Sequence, residues 1–343
     1  MSHSFRIALF ALAMVALGAV AGWFLHSFFG GKQQSVFRGT VLRNDTNQYP
    51  LISPLLACDV GSEDAFPEFQ PLKTKLNNII DAQMQSGSIG GASIYLRSMK
   101  GGRWFAINGD TKYAPASLLK VFIMVAYYKE AESNPEILQK QLAFEGSPDS
   151  ANDTPGEVIP HLVPGRQYSV EDIIRQMIVY SDNDALNTLV DNFDQNTFAA
   201  FTNMFTELNI PSPAKVSEST LNFMSVSEYS LVFRVLFGAT YLSDSYSEKA
   251  LQLLSQAQYK QGVVAGVPAS VSVAHKFGVT TLPATASAGS TNELHDCGIV
   301  YYPNHPYLLC VMTRGNNFAY LQQFIKDISN AAYAGVDTFY THK

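Results

Sequence analysis

Ser117 and Lys120 stand three residues apart in Pro115-Ala116-Ser117-Leu118-Leu119-Lys120, at the head of an apolar run that reads as a helix over 121–128. In a helical first turn this spacing puts both on one face, within reach of each other. A serine hydroxyl is a weak nucleophile until a neighbouring base takes its proton, and a lysine with a pKa lowered by desolvation can take it. The pair alone decides little, because such a spacing arises about once by chance in a chain this long, as a capping serine and a solvated amine. Two further groups carry polar chemistry. Ser181-Asp182-Asn183 falls between a helix over 173–180 and another from Ala185, so its side chains project from a short loop. His275-Lys276-Phe277-Gly278 lies in a strand-like run over 271–279. Taken singly, each also fits a turn or a solvated lysine.

The elements that must position these groups are legible from periodicity. Leu72, Leu76, Ile79, Ile80 and Met84 give the spacing of an amphipathic helix over 71–84, ending before Gly87. Residues 92–97 and 103–107 read as two strands joined by the Lys100-Gly101-Gly102 turn. From 117 to 261 the texture is helical, with capping boxes at Ser169/Asp172 and Ser225/Glu228. Strands return at 271–279, 293–302 and 307–313, and a last amphipathic helix covers 318–334. The order predicts an α/β (α+β) fold. An antiparallel sheet is flanked by N- and C-terminal helices and interrupted by an inserted all-helical domain, with the active site at the seam. The α/β part takes 66–116 and 262–343, and the helical part 117–261.

At 47% hydrophobic residues, the chain of 343 can bury a large core and is not disordered. The net charge of −6, with scattered Lys and Arg, argues against nucleic acid as a partner. Cys58, Cys297 and Cys310 show no zinc-ligand spacing; Cys297 and Cys310 either face each other across a hairpin or are free buried thiols. His275, His295 and His305 lack ligand spacing too, and His295-Asp296-Cys297 reads as a strand exit; no metal or cofactor is expected. Residues 7–29, after Arg6, form an apolar run long enough to span a bilayer, and the run continues past the small residues Ala19-Val20-Ala21. It reads as an uncleaved anchor, followed by a polar tether over 31–65. Leu55-Leu56-Ala57-Cys58 reads as a short buried strand.

The serine–lysine pair, the SDN triplet and the lysine–glycine strand, in this order and on these elements, match the motif set of penicillin-recognising enzymes. From about residue 66 onward the chain resembles class A β-lactamases and the related serine D,D-peptidases. The resemblance implies that Ser117 is acylated, Lys120 handles its proton and Ser181 passes the proton to the leaving nitrogen. It further implies that Asn183 binds the substrate amide and Lys276 attracts the substrate carboxylate. Gly278 belongs to the third motif, and the amides of Ser117 and Val279 form an oxyanion hole. Glu218-Ser219-Thr220-Leu221-Asn222 then reads as the ExxLN element, with Glu218 activating the deacylating water and Asn222 helping to hold it.

Two departures stand out. Phe277 occupies the place of a hydroxyl residue that normally helps hold the substrate carboxylate, so Phe277→Thr is expected to restore a donor there. No arginine appears about ten residues past Lys276, where Ala284 to Gly289 stand; Arg314 follows the last strand. The expected activity is β-lactam hydrolysis through an acyl-enzyme, by a body outside the cytoplasm. The rivals are a D,D-peptidase acting on peptidoglycan stem peptides ending in D-Ala-D-Ala, a non-hydrolytic penicillin sensor, and an esterase or amidase of another substrate class.

Overall fold

The computed structural model describes residues 49–53, 67–146, 160–213, 221–284 and 290–341. The expected anchor over 7–29, the strand at Leu55 to Cys58 and Glu218 lie outside the described residues. Among those described, no helix is long and apolar enough to cross a membrane.

Helix α1 (Gln70–Gln85) leads into the hairpin β1 (Gly91–Ser98) and β2 (Trp104–Ile107). A 3-10 turn over Ala116–Leu119 then starts helix α2 (Lys120–Ala131). Helices α3 (Val170–Val179), α4 (Asn183–Asp191), α5 (Gln195–Glu207), α6 (Val226–Gly238) and α7 (Asp244–Ser255) follow. Strands β5 (Val273–Leu282), β6 (Thr291–Val300) and β7 (Tyr307–Gly315) complete the sheet before helix α8 (Phe318–Thr341). The order anticipated from periodicity holds. The helical part also carries a short ribbon, β3 (Gln141–Ala143) against β4 (Gln167–Ser169), too short for an alternating pattern to reveal.

The five strands pair antiparallel in the order β2-β1-β7-β6-β5. Alternation along each strand divides the sheet between two cores. On one face Leu309 and Val311 pack with Leu76 of α1 and Phe324 and Ile328 of α8. On the other, Leu308, Cys310 and Met312 pack with Phe122, Val125, Tyr229 and Phe233 of the helical part. Helix α2 is buried all round, as a helix that is apolar on every side must be. Cys297 and Cys310 sit opposite each other in the β6–β7 register and form a disulfide.

The last strand in the order, β5, is an edge, so alternate amide and carbonyl groups along one side are not used by the ladder. That side meets the Ala116–Leu119 turn. A Cβ on Gly278 would lie 2.8 Å from the Pro115 carbonyl oxygen and 3.2 Å from the Leu118 amide nitrogen. Only glycine permits an approach this close.

Candidate active site

Ser117 is half-buried in the 3-10 turn, where three residues make one turn and residues i and i+3 eclipse. The turn is locally strained: Ala116, immediately before Ser117, has φ 48°. Pro115 holds φ near −65° on one side of it, and Tyr229 Oη donates to the Leu118 carbonyl at 3.1 Å on the other. Residues that fix a strained backbone around a half-exposed hydroxyl mark a nucleophile's position more than a helix start.

Lys120 begins α2 and is fully buried. Its Nζ donates to the Ser181 carbonyl, to Asn183 Oδ1 at 2.7 Å and toward Ser181 Oγ at 3.4 Å. Burial pulls this amine from an ordinary 10.5 down to about 7, with Asp182 pulling weakly the other way. Ser181 is itself left-handed, at φ 59°, between α3 and α4. Asp182 caps α4, accepting from the amides of Asp184 at 2.8 Å and Ala185 at 3.3 Å, and so holds this loop in place.

Lys276 reaches the same hydroxyl from the opposite side. Its Nζ donates to Ser181 Oγ at 2.8 Å and to the Phe277 carbonyl at 2.9 Å. Two buried lysines therefore converge on one serine hydroxyl, from the start of α2 and from the edge strand β5. Burying an ammonium is costly unless it is hydrogen-bonded, and here a serine, an asparagine and two carbonyls satisfy the pair. Such an arrangement can move a proton between Ser181 and either amine.

A model of the Beta-lactamase enzyme family matches residues 71–336. The chain belongs to that family. No curated protein matches it in sequence. Among solved structures, a PBP-A variant, captured as an acyl-enzyme complex with penicillin G, is 19% identical; the match covers 78% of this chain and 97% of that one, with a TM-score of 0.62. A β-lactamase from Sphaerobacter thermophilus is 21% identical over 76% of this chain and 97% of its own, at a TM-score of 0.61. A representative class A β-lactamase from Bacteroides cellulosilyticus is 15% identical over 78% and 99%, at 0.62. These are likenesses of fold.

Within this family member, the structure brings Lys120, Ser181, Asn183 and Lys276 into one hydrogen-bonded group, with Ser117 and Gly278 on the adjoining turn and strand. Val279, next along β5, is half-buried. Asn222 is exposed, two residues before Met224, whose backbone bridges to Tyr113. That bridge ties the segment following Glu218 to the one leading into Ser117.

Several expectations need correction. Phe277 does not point into a carboxylate pocket: its ring is buried and stacked on Tyr259 at 4.1 Å, with Lys276 Nζ 4.3 Å from the ring centroid. Strand alternation sends it to the face opposite Gly278. A threonine there would leave a core cavity, at a cost of about 3 kcal/mol or more. His295-Asp296-Cys297 is not a strand exit but the buried middle of β6. Asp296 pairs with His275 at 2.8 Å and accepts from the Val263 amide at 2.7 Å, both within the core. Arg314 pairs with Glu293 at 3.1 Å and lies over the Tyr113 ring. One group that spacing did not reveal, His161, Asp182 and Asp184, places a ligand-type atom of each within 4.8 Å. Asp182 is already engaged by the α4 cap and by Gln176 Nε2, so the group reads as scaffold for the Ser181 loop.

Proposed function

We propose that this chain hydrolyses β-lactams through an acyl-enzyme on Ser117. The observation that carries this reading is the convergence of Lys120 and Lys276 on Ser181 beside the strained Ser117 turn. In the first half-reaction Lys120, its amine pKa lowered to about 7, takes the Ser117 proton in its neutral form as Oγ attacks the lactam carbonyl. The oxyanion forms against the amides of Ser117 and Val279, at the edge of β5. The C–N bond breaks as Ser181 gives its proton to the departing nitrogen and is re-protonated through its lysine partners. Asn183 and Lys276 hold the substrate amide and carboxylate. In the second half-reaction, Glu218 takes a proton from a water held with Asn222. That water attacks the ester carbon, the bond to Ser117 Oγ breaks, and the proton held by Glu218 returns to Ser117 Oγ as the product acid leaves.

The amine pKa near 7 supports a base role and sets a pH dependence. Below that value Lys120 is protonated and cannot accept the Ser117 proton, so acylation should fall about tenfold per pH unit on the acid side and level off above it. Stopped-flow acylation rates between pH 5 and 9 check this. A rate independent of pH through that range would remove Lys120 from the base role.

The rival reading is a D,D-peptidase, which shares the first half-reaction. Turnover of penicillin G and of a peptide ending in D-Ala-D-Ala separates the two. Multiple turnovers of the lactam, with little release of D-alanine, are expected. Rapid D-alanine release with the lactam bound once and retained would replace this reading with the peptidase.

We further propose that residues 7–29 anchor the chain with its body outside the cytoplasm. The Cys297–Cys310 disulfide supports that placement, because such bridges persist in oxidising compartments.

A further inference from the structure

The segment entering the Ser117 turn is gripped by ionisable side chains that take no part in the chemistry above. The Ala114 amide donates to Glu293 Oε2 at 2.8 Å, and the Ala114 carbonyl accepts from His295 Nε2 at 3.0 Å. Glu293 and His295 are both fully buried, on one face of β6 two residues apart. His295 Nδ1 accepts from the Thr313 amide at 3.3 Å, so the neutral Nε2–H tautomer satisfies both ring nitrogens at once. Arg314 sits behind Glu293, 3.1 Å from its other oxygen, and donates to the Lys112 carbonyl at 2.6 Å. Between these contacts, Tyr113 has its amide and carbonyl held by the backbone of Phe223 and Met224 and its hydroxyl 3.1 Å from Ser93 Oγ. The backbone of residues 112–114 is thus held from both sides.

Burying a carboxylate and an imidazole in a sheet is costly, and apolar residues would fill the same space more cheaply. Here both are directed at the one amide and one carbonyl of Ala114. Only Pro115 and Ala116 then separate this fixed point from Ser117, and both have restricted backbones, a proline and a residue at φ 48°. Any movement of Ala114 is therefore passed to Ser117, and the turn lies too close to Gly278 to absorb it.

We infer that Glu293 and His295 are positioning residues for Ser117: by clamping Ala114 they set the nucleophile against the amides at the edge of β5. This rests on the reading of Ser117 as the nucleophile. The clamp touches neither substrate nor Lys120. Loosening it should lower the rate of acylation without moving the pH midpoint that the lysine sets.

The test is the second-order rate of Ser117 labelling by a fluorophosphonate probe across pH 6 to 9, with thermal melting of the same full-length samples. His295→Leu removes the donor and is expected to slow labelling about 10- to 100-fold, as a misplaced reacting group does, with the midpoint unchanged. His295→Gln offers both a donor and an acceptor and should recover most of the rate. If His295→Leu does not fold, Glu293→Met carries the same test, with Glu293→Gln as its rescue. Variants that melt lower but label at the wild-type rate would overturn the inference, as would Leu and Gln variants that are equally slow. Failure of the wild type to label would overturn the reading of Ser117, and this inference with it.

Discussion

Ser117→Ala should reduce β-lactam turnover by about 10⁴- to 10⁶-fold, the loss seen when a covalent nucleophile is removed from an otherwise intact site. The physical reason is that no neighbouring group can replace it. Ser181 Oγ lies between Lys276 Nζ at 2.8 Å and Lys120 Nζ at 3.4 Å, a place suited to relaying a proton and not to attacking a carbonyl from the turn that faces β5. The fold should survive, because Ser117 is only half-buried and the turn is held by Pro115 and by Tyr229 Oη on Leu118. Loss of a half-exposed hydroxyl usually changes stability by about 0.5 kcal/mol or less. Turnover and the melting temperature, measured on the same preparation, should therefore separate completely: activity lost, stability kept. Turnover within tenfold of wild type would mean that the acyl group never resides on Ser117.

Glu218→Gln is expected to split the two half-reactions. The amide keeps the carboxylate's shape but cannot take a proton from water, and loss of a positioned general base costs about 10²- to 10⁴-fold. Acylation depends on Lys120 and should continue, so the acyl-enzyme accumulates. The burst of lactam consumption should then approach one equivalent per chain, followed by a slow steady rate. The backbone bonds of Phe223 and Met224 to Tyr113 hold the segment that follows Glu218 to the one leading into the Ser117 turn, which is where a deacylating water must be activated. A variant that turns over as fast as wild type would show that another group activates the water.

The placement of the candidate site was legible in the sequence because the family's motifs are short and fall on elements with strong periodic signals. The amphipathic helix before the sheet, the two capped helix starts and the three β-rich runs were enough to place Ser117, Ser181 and Lys276 at a turn, a loop and a strand. What escaped was of two kinds. The side-chain face of Phe277 was available in principle: alternation along β5 places it opposite Gly278, yet the motif resemblance suggested a role in the pocket. The Ala114 clamp was not available, because its contacts join residues 179 and 181 positions apart, and a glutamate and a histidine within a strand carry no local signature of what they hold. The alternation of Glu293 and His295 about Leu294 in a strand-like run was the one hint, since buried ionisable residues need partners.

Peptide mapping of the adduct formed when the Glu218→Gln chain is mixed with penicillin G tests the central claim most directly. One added penicilloyl mass per chain is expected, carried by the peptide that contains Ser117 and absent when Ser117→Ala is introduced as well. An adduct on any other residue, or lactam consumption by the wild type with no acyl group trapped in the variant, would contradict it.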